Sequence, residues 1–136
     1  MRYLKAVCLS LTLVFYCSPA FSQRINVCIN VRGSTGIENE LKGILSEDFG
    51  SFDSVTVVDS KEECHLYLDC ALVEQKPIRL YGLGVSIAYR VRGDLYSRPT
   101  ADVAQFGIER MRDVCAYLTA EIDKGFLRPL REPASP

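Results

Sequence analysis

With 136 residues, 24% charged and 48% hydrophobic, the chain has the size of one globular domain, and its composition excludes disorder and collagen-like repetition. Lys and Arg number 16 against 17 Asp and Glu, a formal net charge of −1, so no global basic excess drives nonspecific nucleic-acid binding. A multidomain enzyme and a nucleic-acid partner are therefore not expected.

Arg2 and Lys5 open the chain with positive charge, and residues 6–16 are almost unbroken apolar. Ser18-Pro19-Ala20-Phe21-Ser22 then supplies a helix breaker and the small residues of an Ala-x-Ser cleavage site. Residues 1–22 are expected to be a cleavable signal peptide. The apolar run is about half the roughly 20 residues that a bilayer-spanning helix requires, so no stable membrane span is expected after cleavage. Cys17 follows the bulky Phe15 and Tyr16, not the small residues that precede an acylated cysteine. The expected product is a mildly acidic periplasmic or secreted protein whose remaining cysteines, Cys28, Cys64, Cys70 and Cys115, form an even set. In an exported chain such a set reads as up to two disulfides.

Residues 24–31 alternate, with Ile25, Val27, Ile29 and Val31 on one side and Asn26, Cys28 and Asn30 on the other, which predicts a strand with one wet face. Gly33-Ser34-Thr35-Gly36 leads into a helical pattern of Ile37, Leu41, Ile44, Leu45 and Phe49. Thr35 and Glu38 have the spacing of a capping box. Val55-Thr56-Val57-Val58, between Asp53-Ser54 and Asp59-Ser60, predicts a short strand. Residues 65–73 alternate again, with Leu66, Leu68, Cys70 and Leu72 inward. Residues 79–92 predict a long fourth strand, Tyr81, Leu83, Val85, Ile87, Tyr89 and Val91 on one face and Gly82, Gly84, Ser86, Ala88, Arg90 and Arg92 on the other. Residues 93–99 read as a connection. Thr100 is then placed to cap a long helix with Asp102 in its first turn and a stripe of Ala104, Ile108, Met111, Cys115, Leu118 and Ile122. Lys124-Gly125 reads as its stop, and residues 128–136, with three prolines, as a tail without fixed structure.

These elements predict an α+β fold of order β-α-β-β-β-α: a two-layer sandwich with a four-stranded mixed sheet and two helices on one face, a single domain over residues 23–127. The other face of the sheet is left for a partner.

The catalytic inventory is thin. His65 is the lone histidine, and strand parity sets its side chain opposite that of Cys64, so a Cys–His nucleophile pair is not expected. Cys64 and Cys70 are spaced more widely than structural zinc pairs, and neither a metal nor a cofactor is expected. Cys70 and Cys115 both lie on core faces and are the first choice for a bridge, which leaves Cys28 with Cys64. The Gly33-Ser34-Thr35-Gly36 loop could cradle an anion but lacks the Lys-Ser/Thr ending of a P-loop, and reads first as a turn and helix cap. Arg79, Arg90, Arg92 and Arg98 gather positive charge that suits either a solvated strand end or an acidic partner. The open face offers a low strip of Gly82, Gly84, Ser86 and Ala88, flanked by Asn26, Asn30, Tyr67 and Arg90. Another backbone could pack closely there, unless Tyr67 covers the glycines.

The capped helix with Ile37-Glu38-Asn39-Glu40-Leu41, the strand Val55-Thr56-Val57-Val58-Asp59 and the run Glu63-Cys64-His65-Leu66-Tyr67-Leu68 together resemble the small α/β domain of TolB N-terminal regions and of the CsgG and LpoB lipoproteins. Four cysteines are not part of that pattern. The resemblance implies an envelope-associated binding or assembly module, with no catalytic residues to transfer. The expected function is thus a noncatalytic exported module that recognises a protein or envelope component through its open sheet face, homodimerisation being one form this could take. The alternatives are a small secreted inhibitor or effector and a hydrolase using Asp69, His65 or Arg90.

Overall fold

The computed structural model describes residues 24–91 and 93–131. The expected signal peptide, Arg92 and residues 132–136 lie outside them. β1 (Ile25–Arg32) points Ile25, Val27 and Ile29 to one side, where they are almost inaccessible. At the turn that follows, a Cβ on Gly33 would lie 2.5 Å from the Leu72 carbonyl oxygen, so this close approach requires glycine. α1 (Glu38–Gly50) buries Leu41, Ile44, Leu45 and Phe49, a single stripe laid on the same side of the sheet. β2 (Val55–Val57) and β3 (Leu66–Gln75) both run parallel to β1 and flank it. β4 (Leu80–Val91) pairs antiparallel with β3, and β5 (Asp94–Phe106) antiparallel with β4. The sheet order is β2-β1-β3-β4-β5.

The passage from β2 to β3 is short for a connection between parallel strands. Its brevity follows from register: Val57 and Leu66 both stand opposite Val27, so β2 ends at the level where β3 begins. Residues 58–65 therefore need only step across β1. They do so on the face away from the helices, where the Cys28 thiol donates weakly to the Asp59 carbonyl (3.7 Å) and the Asn26 side-chain amide donates to that of Glu63 (3.0 Å).

The sheet has five strands and not the expected four. Residues 94–106, read as a connection and the start of a helix, form β5 instead. The ladder to β4 is continuous from Tyr81↔Phe106 to Val85↔Asp102, shifts, and resumes from Ile87↔Arg98 to Val91↔Asp94. The shift sets residues 99–101 against Ser86 alone. Pro99 has no N–H to give to a ladder, and a bulge on an edge strand is where a proline is tolerated. This interruption is what disguised the strand. Gly93, at φ 91°, lies in the tight turn that joins the two strands.

The second helix starts later than the apolar stripe suggested. A 3₁₀ turn (Ile108–Arg110) leads into α2 (Met111–Ile122), which buries Met111, Cys115, Leu118 and Ile122. Ala104 belongs to β5 and Ile108 is 48% exposed, so neither is part of the helical stripe. Lys124-Gly125 does not stop the chain either, because a π-helical turn (Asp123–Leu127) and α3 (Arg128–Arg131) continue it. The buried Asp123 carboxylate pairs with Arg128 (3.5 Å) and with Arg131, whose guanidinium also lies 5.2 Å over the Phe52 ring. Leu127 beside it is fully buried. The first residues of the expected tail are thus pinned to the body.

One apolar core fills the space between the helices and the inner sheet face, uniting Val27, Leu66, Leu68, Leu83, Val85 and Ile87 with both helical stripes. Phe49 is among its largest fully inaccessible side chains. Phe49→Ala is expected to lower the unfolding free energy by about 3–5 kcal/mol, read from urea denaturation.

Candidate functional site

The face of the sheet away from the helices divides into two parts. Over β1 and the start of β3 it is crossed by residues 58–65. Cys28, expected on a wet face, is only 5% exposed beneath this crossing, and Tyr67 lies under the Lys61 ammonium at 4.7 Å. Asn26 is held by the Glu63 carbonyl. Over β3 and β4, no other element among the described residues covers the sheet. A Cβ on Gly84 would have no neighbour within 4 Å, and one on Gly82 would meet only Val73 at an ordinary 3.6 Å. Tyr67 therefore does not shield the glycines. Ser86 is exposed and Ala88 half-buried. Val73, 65% exposed, stands opposite Gly82 at one end of the strip.

The rim of this strip is polar and internally paired. Asp69 accepts from the Asn30 amide (2.9 Å) and from Arg32 Nε (3.0 Å), which orients Asn30 along the strand pair. Arg90 turns toward the backbone. Its Nε donates to the Cys64 carbonyl (3.1 Å), one terminal nitrogen to that of Gly93 (2.6 Å) and the other to that of Lys61 (3.2 Å). It thereby ties the crossing segment to the β4–β5 turn. The structure brings together Gly82, Gly84, Ser86 and Ala88 with Asn30. Asn26, Tyr67 and Arg90 are occupied by the crossing.

The residues weighed for hydrolysis do not converge. His65 Nδ1 accepts the Asn26 backbone N–H (2.9 Å), Asp69 serves Asn30 and Arg32, and Cys64 Sγ donates to the Lys61 carbonyl (3.0 Å). The backbone N–H of Arg90 donates to the His65 carbonyl (2.9 Å), but no hydrogen bond joins the side chains of any two of His65, Asp69 and Arg90 among the described residues. Among the described residues no group of three His, Cys, Asp or Glu is placed to hold a metal ion.

Gly33-Ser34-Thr35-Gly36 carries its own anion. The Glu38 carboxylate accepts from the Thr35 N–H and hydroxyl and from the Gly36 N–H (2.8 Å). These bonds, the Thr35 N–H foremost, hold the Glu38 carboxyl below its ordinary range. Of the expected capping box only the Glu38 half is formed, its carboxylate taking the Thr35 N–H, because Ile37 occupies the N-cap and makes no side-chain cap bond.

All four cysteines are buried and free, so the expected bridges Cys70–Cys115 and Cys28–Cys64 are not formed. The Cys28 thiol is turned to the Asp59 carbonyl and the Cys64 thiol to that of Lys61, and the two are near enough for Cys64 to add to burial in raising Cys28 without being joined to it. Burial raises both of these thiols; at Cys64 the neighbouring Arg90 partly offsets it. Cys70 and Cys115 pack into the core as small apolar side chains, and burial pushes each up to about 12.

One grouping was not visible in the strand patterns, although they include its members one by one. Arg24, Ile25, His65, Leu66, Tyr89 and Arg90 meet the chain's π-helical turn and α3 around a cavity of about 500 Å³. They come from strand ends and a helix terminus, where periodicity carries no signal.

No protein-family model and no curated protein matches the chain. Among solved structures it is similar to TolB from Acinetobacter baumannii, with TM-score 0.56 and 8% identity over 75% of this chain; the match spans 28% of that TolB chain. It is also similar to the hypothetical protein CT253 from Chlamydia trachomatis, with TM-score 0.47, 8% identity and coverage of 74% and 84% of the two chains. A PelC dodecamer subunit from Paraburkholderia phytofirmans gives TM-score 0.46 and 15% identity over 83% and 89%. The first likeness establishes a shared fold with part of TolB. None of these matches bears on CsgG or LpoB.

The thiols make stability depend on alkaline pH. An unfolded thiol ionises near 9, whereas Cys70 and Cys115 keep their protons to about 12. Between these values the unfolded chain binds fewer protons than the native one, so stability falls as pH rises. The denaturation midpoint of the reduced protein is expected to drop between pH 8.5 and 11, and less so in the Cys70→Ala, Cys115→Ala double variant.

Proposed function

We propose that this protein is a noncatalytic, envelope-associated binding module, periplasmic or secreted, that engages a protein partner face-on through β3 and β4. The observation that carries the reading is the uncovered strip of Gly82, Gly84, Ser86 and Ala88 in the middle of a sheet whose other face is sealed by the helices. A strand without side-chain bulk lets a second backbone approach closely. The paired Asn30, Asp69 and Arg32 at its border supply a pre-set polar edge whose hydrogen-bonding capacity is not exhausted. The fold shared with part of TolB, and the resemblance of the strand-helix-strand pattern to TolB N-terminal regions, support the envelope assignment. No helix among the described residues is long and apolar enough to cross a membrane, which agrees with a module recruited by contact.

In situ cross-linking followed by mass spectrometry tests the reading. A Cβ at Gly84 has no neighbour within 4 Å, so Gly84→Trp is expected to fold, which its melting temperature checks. Capture of the wild-type partner is expected to fall about tenfold or more. Tyr117→Ala, on the exposed side of α2, should retain capture. Undiminished capture by a folded Gly84→Trp protein would refute the proposal.

A further inference from the structure

The cavity at the end of the sheet does not include the strip of Gly82, Gly84, Ser86 and Ala88: Ile25, Leu66 and Tyr89 line it from the core side, and Arg90, which also holds the crossing, lines it too. Its wall is completed by Phe126, Pro129 and Leu130 from the C-terminal turns. Three features define what it can hold. The first is its volume, about 500 Å³, within the roughly 300–1,000 Å³ of ligand pockets, over a mainly hydrocarbon and aromatic lining. The second is the sign of its polar groups. Arg24 and Arg90 both line it, and no carboxylate does. Arg24 donates to the Thr56 hydroxyl (2.9 Å), and Arg90 spends three N–H groups on neutral carbonyls, which leaves two of its five donors. Among the described residues neither guanidinium forms an ion pair, in contrast to Arg128 and Arg131 on Asp123. The third is His65. It lines the cavity, and its Nδ1 accepts a backbone N–H, so the ring proton is assigned to Nε2, which takes no part in that bond.

We propose that this cavity is a binding site for an amphipathic anion: a single hydrocarbon chain against Ile25, Leu66, Phe126 and Leu130, with an anionic head at Arg24, Arg90 and His65. The π-helical turn gives the site its shape. Asp123 and Arg131 anchor that turn to Phe52, and Leu127 is buried in the core, so Phe126, half-buried against that core, and the α3 residues are held at the cavity wall. Leu130, 59% exposed, is then an apolar side chain that a bound chain would cover. Gly125 leaves space at the wall, since a Cβ there has no neighbour within 4 Å.

Calorimetric titration of the protein with dodecanoate, dodecyl phosphate and dodecanol, each below its micellar concentration, provides the test. At least one of the two anions is expected to bind about tenfold or more tighter than the uncharged alcohol, and the tighter anion identifies the head group as carboxylate or phosphate. Arg24→Gln should weaken the anions about tenfold and leave dodecanol unchanged. Gly125→Leu, which adds side-chain bulk at the wall, should weaken binding, and Leu130→Ala, at a side chain 59% exposed, should weaken every probe. Equal affinity for dodecanol and the anions, full affinity in a folded Gly125→Leu protein, or no heat with any probe would overturn the assignment.

Discussion

Everything in this fold depends on burying one face of a sheet beneath the helices. Val27, Leu66, Leu68, Leu83, Val85 and Ile87 lie at or below 5% exposure against Leu41, Leu45, Phe49 and Cys115. Each such aliphatic side chain contributes about 1.5–3 kcal/mol when fully buried, whereas an exposed ion pair such as Arg32–Asp69 contributes about 0–1 kcal/mol. The apolar side therefore sets the register, because a slip of one residue would turn the whole inner set of a strand outward. The outer face inherits its composition from that constraint, and it is free to carry glycine, serine and alanine.

The connection between β2 and β3 shows how local register shapes the outer face. Because both strands meet β1 at Val27, the chain has no length to spare for a detour through the helical layer and passes over Asn26 and Cys28. Backbone carbonyls of that passage would otherwise compete for water, and Arg90 collects two of them, from Lys61 and Cys64, together with that of Gly93. A guanidinium suits this task, since its planar fork presents several donors in fixed directions. The crossing leaves β1 shielded and β3–β4 open.

Where hydrophobic period and chain direction agreed, the structure was legible in the amino-acid sequence. β1, α1, β2, β3 and β4 all fall where alternation or helical spacing placed them, down to the inner Leu83, Val85 and Ile87 of β4. β5 was not, because Pro99 and the bulge opposite Ser86 break its alternation, and because Ala104 and Ile108 happen to extend the stripe of α2 backward. Thr35 and Glu38 had the spacing of a capping box, but glycines at φ values of 156° and 90° let the loop curl so that its N–H groups reach the Glu38 carboxylate. Of the residues expected to form a partner face, the shared side of Gly82, Gly84, Ser86 and Ala88 was legible from parity. The occupation of Asn26, Tyr67 and Arg90 was not, since it arises from a connection whose path depends on strand order. The cavity was invisible for a similar reason: its residues lie far apart in sequence and at element ends.

Strand order also decides how a partner could approach. An open sheet can recruit another chain at its edges or on its face, and unpaired edges are the stronger template. Here one edge is β2, three residues long, and the other is β5, interrupted by a bulge at Pro99. A short strand offers few free hydrogen-bonding groups, and a bulged proline-containing strand cannot present a regular ladder. Both edges are therefore poor sites for strand addition. Glycine in a strand interior costs about 0.5–1 kcal/mol relative to alanine, and β4 carries two, paired on both sides by neighbouring strands. With the edges blunted, the flat surface those glycines create is the feature of this sheet best suited to close contact, which is why the face and not the border is assigned to recognition.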